Sequence, residues 1–114
     1  MPSTNVYYYT FNSHNPFKDF LDSLNKQQQA KILRIIQNIY NYGLTSAIPH
    51  LKKVTGTPFW EIRVLGKDNL RAIYIHPNLN SILILHGFIK KTQKTPQKEI
   101  QIAFNRYRQW QNKT

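Results

Sequence analysis

The chain has 114 residues, 40% of them hydrophobic, which is enough for one domain over residues 1–114 with a core that needs no covalent staples. With no cysteine there are no disulfides and no thiolate zinc sites, and no apolar run approaches the ~20 residues of a membrane span. The formal net charge is +11, and twelve of the 16 Lys and Arg lie from Lys52 onward against three acids, so the C-terminal half calls for a polyanionic partner.

Met1 to Tyr9 has neither the basic start nor the apolar stretch of a secretory signal, which points to the cytoplasm. Val6-Tyr7-Tyr8-Tyr9-Thr10 is β-branched and aromatic and predicts a first strand, with a loop over Asn12 to Asn15 after it. Asn15-Pro16 then starts a helix, because Asn can cap orphan N–H groups and Pro is pre-set for the first helical position. Phe17, Phe20, Leu21 and Leu24 are its apolar stripe. Past Asn25-Lys26, the residues Ile32, Leu33, Ile35, Ile36, Ile39 and Tyr40 recur at helical spacing, and Gly43 is the expected stop. Lys31 and Arg34 read as solvated charges of this second helix. Ala47 to Pro58 has no period and contains Pro49, Gly56 and Pro58, which predicts a loop carrying Lys52 and Lys53.

Phe59 to Leu65 is a strand in which alternation places Glu61 and Arg63 on one face and Trp60, Ile62 and Val64 on the other. Leu70 to His76 and Ser81 to Phe88 follow as strands across turns at Gly66-Lys67-Asp68-Asn69 and Pro77-Asn78-Leu79-Asn80. The last apolar run ends at His86-Gly87-Phe88-Ile89, crosses a turn bearing Lys90, Lys91 and Lys94, and enters a helix from Pro96 to about Trp110. Ile100, Ala103, Phe104, Tyr107 and Trp110 form that helix's stripe, with Lys98, Arg106 and Arg108 off it. The sum is an α+β fold: an antiparallel sheet of about four strands, a helical hairpin on one face and a C-terminal helix.

His14, His50, His76 and His86 have no ligand at metal-site spacing, the four glycines form no phosphate loop, and no serine or cysteine nucleophile motif is present. No cofactor is implied. A basic cleft can still cut RNA without a metal, since RNA supplies its own nucleophile, the 2′-OH. The protein must orient that hydroxyl, take its proton, neutralise charge on the phosphorus and protonate the leaving 5′ oxygen. His86 is the first candidate proton acceptor because histidine titrates near neutrality, and a lysine depressed by cationic neighbours is the second. Lys52, Lys53, Arg63, Lys67, Lys94 and Lys98 are the candidate RNA-backbone contacts.

Strand, helical hairpin, Trp60-Glu61-Ile62-Arg63-Val64, Leu70-Arg71-Ala72-Ile73-Tyr74, and Leu85 to Pro96 with Glu99-Ile100 and Ala103 follow in an order that resembles the phage-derived Gp49-like, HigB-type branch of the RelE/ParE toxin superfamily. The resemblance spans nearly the whole chain, and the segment from Leu85 to Ala103 is its most specific part. It implies the toxin of a type II toxin–antitoxin pair, a metal-independent endoribonuclease that cuts mRNA in the ribosomal decoding site and is neutralised by a helix-turn-helix, HigA-type antitoxin, with no membrane partner. By position, Arg71 then matches an arginine at the scissile phosphate, Lys90 or Lys91 a cation that stabilises the transition state, and Arg63 a residue lining the RNA path. RelE itself has a tyrosine just after the last cation, whereas Thr92 to Glu99 contains none, and Glu61 replaces a lysine of the middle sheet. Two alternatives share the fold or the charge: a ParE-like gyrase inhibitor and a non-catalytic RNA-binding module. The lysine turn favours the nuclease.

Overall fold

In the computed structural model, which describes residues 3–112, the elements are β1 (Asn5–Tyr8), α1 (Pro16–Asp22), α2 (Lys26–Tyr42), a 3₁₀ helix (Leu44–His50), β2 (Leu51–Lys53), β3 (Trp60–Arg63), β4 (Leu70–Asn78), β5 (Ser81–Ile89) and α3 (Gln97–Asn112). Residues 1, 2, 113 and 114, which the single-domain expectation includes, lie outside the described residues. The helix signals act as read. Asn15 Oδ1 accepts from the Lys18 N–H ahead of α1, and Asn25 forms a reciprocal capping box with Gln28 ahead of α2. Gly43 ends α2 at φ 86°, a left-handed value that glycine alone adopts freely.

The sheet departs from the expectation in two ways. It has five strands in the order β1-β5-β4-β3-β2, and it is mixed, because β1 runs parallel to β5 (Asn5↔Ser81 to Tyr8↔Ile84). Parallel neighbours need a long crossover rather than a hairpin, and here the helices and the whole meander intervene. The fifth strand comes out of the segment read as a loop. Leu51–Lys53 pairs antiparallel with Trp60–Ile62, preceded by a 3₁₀ helix that buries Ala47, and three residues are too few to show a period.

Each face of the sheet carries its own core. α1, α2 and the 3₁₀ helix cover Ile62, Val64, Leu70, Ala72, Tyr74, Ile82 and Ile84 with Phe17, Leu24, Ile32, Ile36 and Ile39. α3 covers Phe59, Ile73, Ile75, Leu83, Leu85 and Phe88, with Ala103 fully buried and Ile100, Phe104, Tyr107 and Trp110 packed alongside. Gly87 allows α1 to approach β5. A Cβ there would lie 2.3 Å from Phe20 Cδ2 and 2.8 Å from Phe17 Cε1. One residue later in the β4–β5 ladder a bulge intervenes: Ile73 pairs with His86 but Tyr74 pairs with Ile84, so Leu85 is extra. Leu85 and His86 therefore both serve the α3 side.

Candidate nucleic-acid interface

Alternation along β3 puts Trp60, Ile62 and Val64 into the hairpin-side core and leaves Glu61 and Arg63 on the α3 side. Arg71 joins them because it stands directly opposite Arg63. The two cations thus share one face as adjacent cross-strand residues, and the Nε atom of each is buried without a hydrogen bond. Like charges opposite each other are unfavourable, so this pairing needs an anion. Glu61 supplies one. It is 1% exposed, its Oε1 lies 3.9 Å from Arg71 Nε, and its Oε2 accepts a hydrogen bond from Thr95 Oγ1.

Lys90 completes the cluster. Its backbone N–H donates to Asn69 O at 2.8 Å, which ties the end of β5 to the β3–β4 turn. Its ammonium pKa falls below the ordinary lysine value, first through partial burial; Arg71, Lys52 and Arg63 depress it further, while Glu61 opposes the shift. Burial also lowers the Arg71 pKa, against the pull of Glu61, but a guanidinium stays charged in any case.

Two clefts meet at Lys90. One, of about 510 Å³, is lined by Lys52, Lys53, Glu61, Lys94 and Thr95, with Ile100 as its apolar contribution from α3. The other, of about 420 Å³, is lined by Asn69, Arg71, Lys91, Thr92 and Gln93. Six cations thus surround one carboxylate across the two clefts, besides Arg63 next to Arg71. Such a surface can grip consecutive phosphates, and Arg71 offers the forked donor set suited to one of them. A lysine with a lowered pKa can also exchange a proton at physiological pH more readily than an ordinary one.

Of the residues singled out from sequence, Lys52, Lys53, Arg63, Arg71, Lys90, Lys91 and Lys94 come together here. Three do not. Lys67 sits exposed in the β3–β4 turn beside Asp68, and Lys98 is exposed on the first turn of α3; neither lines the clefts. His86 is also outside them, with a side chain 12% exposed and held from both sides. Its Nε2 meets Glu99 Oε1 at 2.7 Å and its Nδ1 meets Arg106 Nη1 at 3.2 Å, while Arg106 Nη1 also donates to Leu85 O at 2.9 Å. An arginine can only donate, so Nδ1 accepts and the ring is neutral with its proton on Nε2. Burial, with Arg106 acting in the same sense against Glu99, holds the His86 pKa below its usual value. Both nitrogens are occupied, and the geometry makes His86 a strut between sheet and α3 rather than a free proton acceptor. Arg106, read as lying off the α3 stripe, is half-buried, with its guanidinium 5.7 Å from the centre of the Tyr9 ring. Lys31 is likewise not merely solvated, since it pairs with Asp68 at 2.6 Å.

Sequence reasoning did not assign Thr95, Asn69 or the anchoring part of Glu61. Only Glu61 carried a signal, as a charge in an apolar strand. Among the described residues no group of three or more His, Cys, Asp or Glu is arranged to hold a metal ion, and no helix is long and apolar enough to cross a membrane.

No curated protein matches the chain. A family model does: residues 19–108, more than three quarters of the sequence, match the phage-derived protein family described as Gp49-like (DUF891). The match runs from α1 through the sheet and the lysine turn into α3, and so takes in every residue of the two clefts. The chain belongs to the Gp49-like family of phage-derived proteins, a RelE-like, toxin-like family.

Proposed function

We propose that the protein is the HigB-type toxin of a type II toxin–antitoxin pair and cuts mRNA in the decoding site of the ribosome. The observation that carries this reading is the cluster of Lys52, Arg63, Arg71 and Lys90 around the buried Glu61, open to solvent through two clefts lined by further lysines. Arg71 and Lys91 hold the scissile phosphate and offset the charge that builds on its oxygens. Lys90 in its neutral form takes the proton of the 2′-OH, whose oxygen bonds to phosphorus as the bond to the 5′ oxygen breaks. The Lys91 ammonium returns a proton to that 5′ oxygen, leaving a 2′,3′-cyclic phosphate and a free 5′-OH. Lys52, Lys53 and Lys94 carry the flanking backbone. A helix-turn-helix antitoxin that covers the clefts keeps the toxin silent in its own cell.

The test sets the purified protein against two targets: a translation reaction programmed with a defined mRNA, and gyrase supercoiling of plasmid DNA. The reading expects translation to stop with cleaved message and gyrase to run normally. Gyrase inhibition with intact mRNA would move the protein to the ParE-like class, and arrest of translation without cleavage would make it a non-catalytic RNA-binding protein.

A further inference from the structure

The six lysines and arginines lining the clefts would drive each other apart in the absence of RNA, and the chain places one carboxylate among them. Glu61 enters from the middle of β3, between Ile62 and Trp60 of the hairpin-side core, so its backbone is fixed by the sheet. Its two oxygens reach in different directions: one to Arg71 on β4, the other to Thr95 on the turn between β5 and α3. That turn, residues 90–96, has few other ties. Lys90 N–H bonds Asn69 O, Thr92 Oγ1 bonds Lys94 O within the turn, and Lys91, Thr92, Gln93 and Lys94 are exposed. The Thr95–Glu61 bond is thus the side-chain link that joins the lysine turn to the rigid sheet.

We propose that Glu61 is a positioning residue for the RNA site: an internal anion that tethers the lysine turn through Thr95 and orients Arg71, so that the cations stand in place before a phosphate arrives. This deepens the nuclease reading and rests on it. The same carboxylate opposes polyanion binding by its charge, so its two effects run in opposite directions. Glu61 weakens the grip on RNA and speeds what happens once RNA is bound. A residue that merely stabilised the fold would change both in one direction.

The experiment uses the full chain with Glu61→Gln, which keeps the size and an acceptor for Thr95 but removes the charge, and Thr95→Val, which removes the tether but keeps the charge. Binding is read with an RNA methylated at every 2′-OH, which cannot be cut by the proposed route; cleavage is read on translating ribosomes; and amide exchange is followed over residues 90–96. E61Q is expected to bind the methylated RNA about 5-fold tighter, as expected for one repulsive charge removed at close range. It should also cut up to ~100-fold more slowly, the scale of a small misplacement of catalytic groups. T95V should bind with unchanged salt dependence, cut more slowly and exchange faster across the turn, whereas E61Q, whose amide oxygen still accepts from Thr95, should exchange there as the parent chain does. The activity of E61Q at alkaline pH should begin at lower pH, since the charge that holds up the Lys90 pKa is gone. Weaker binding by E61Q, or exchange of the turn as slow in T95V as in the parent chain, would overturn the proposal. So would a T95V variant that cuts normally while E61Q loses the acid limb of its pH profile, because Glu61 would then be a proton acceptor. Should the parent chain cut no RNA, the nuclease reading fails by itself, and the binding and exchange measurements still decide the role of Glu61.

Discussion

Arg71→Ala and Lys91→Ala should both abolish toxicity, yet only the first should cost stability. The Arg71 side chain is 12% exposed; it lies 3.9 Å from Glu61, whose own side chain is 2% exposed, and its Nη1 donates to Leu70 O at 2.9 Å. Breaking a buried ion pair costs ~3–5 kcal/mol when the partner is left alone. The contact is an ion pair without a hydrogen bond, and Glu61 keeps Thr95 and the nearby Lys90, so the loss should fall below that range, at about 1–3 kcal/mol. In a domain of this size that lowers the melting temperature by roughly 4 to 12 °C. Lys91 is exposed, and its removal should stay within ~0.5 kcal/mol. Loss of either cation from its proposed place at the transition state should cost about 2.7–4 kcal/mol in barrier, or ~10²–10³ in rate. Melting by circular dichroism and growth after induction read the two effects separately. Arg34→Ala, exposed on α2, is the control; Lys31 is unsuitable because of its pair with Asp68. An Arg71→Ala protein that melts with the parent would refute the buried pairing, and full toxicity of both variants would place the active cleft elsewhere.

Gly87→Ala should destabilise the domain by about 1–3 kcal/mol, since its Cβ would meet the Phe20 ring at 2.3 Å; urea unfolding measures it, and a neutral result would mean that α1 does not press on β5. Stability should fall as pH drops below 6.5, where the unfolded chain binds a proton that buried His86 refuses, and His86→Asn should flatten that slope between pH 7.5 and 5.5. RNA affinity should fall steeply with salt, and Lys91→Ala should flatten the log–log slope by about 0.7, the share of one phosphate on a single strand. The product of the neighbouring gene should bind the lysine turn through acidic residues and restore growth; a neighbour that neither binds nor rescues would remove the main support for a toxin–antitoxin pair.

Local rules carried the parts of the fold that local rules decide. Asn15-Pro16, the Asn25 capping box and Gly43 bound the helices because caps act within a few residues, and the period of two in Trp60 to Val64 sorted the strand's faces correctly. The parallel pairing of β1 with β5 was not legible, since nothing near either strand encodes a partner some 75 residues away in the chain. β2 is not legible either, because it is three residues long and stands between a 3₁₀ helix with an internal proline and a glycine turn. At the site, the cations were visible as composition, and the resemblance ordered them. What sequence could not give was the pair of contacts that engage both His86 nitrogens, Glu99 at one and Arg106 at the other, outside the clefts. Glu99 and Arg106 are seven residues apart on one helix, a spacing that puts both on the same side, but only the packing of α3 on β5 sets His86 between them.

On the proposed mechanism, a cationic clamp whose Lys90 is less basic than an ordinary lysine relies on the ribosome for in-line geometry, which can supply ~7–11 kcal/mol of a barrier when reactants are held in place. The direct measurement maps RNA ends after purified protein is added to the same mRNA, either threaded through translating ribosomes or free in solution. The expected result is 2′,3′-cyclic phosphate ends within the decoding-site codon on ribosomes, and largely intact RNA without them. Equal cutting of free and ribosome-bound RNA would contradict it, because the clefts would then impose in-line geometry on the RNA without the ribosome.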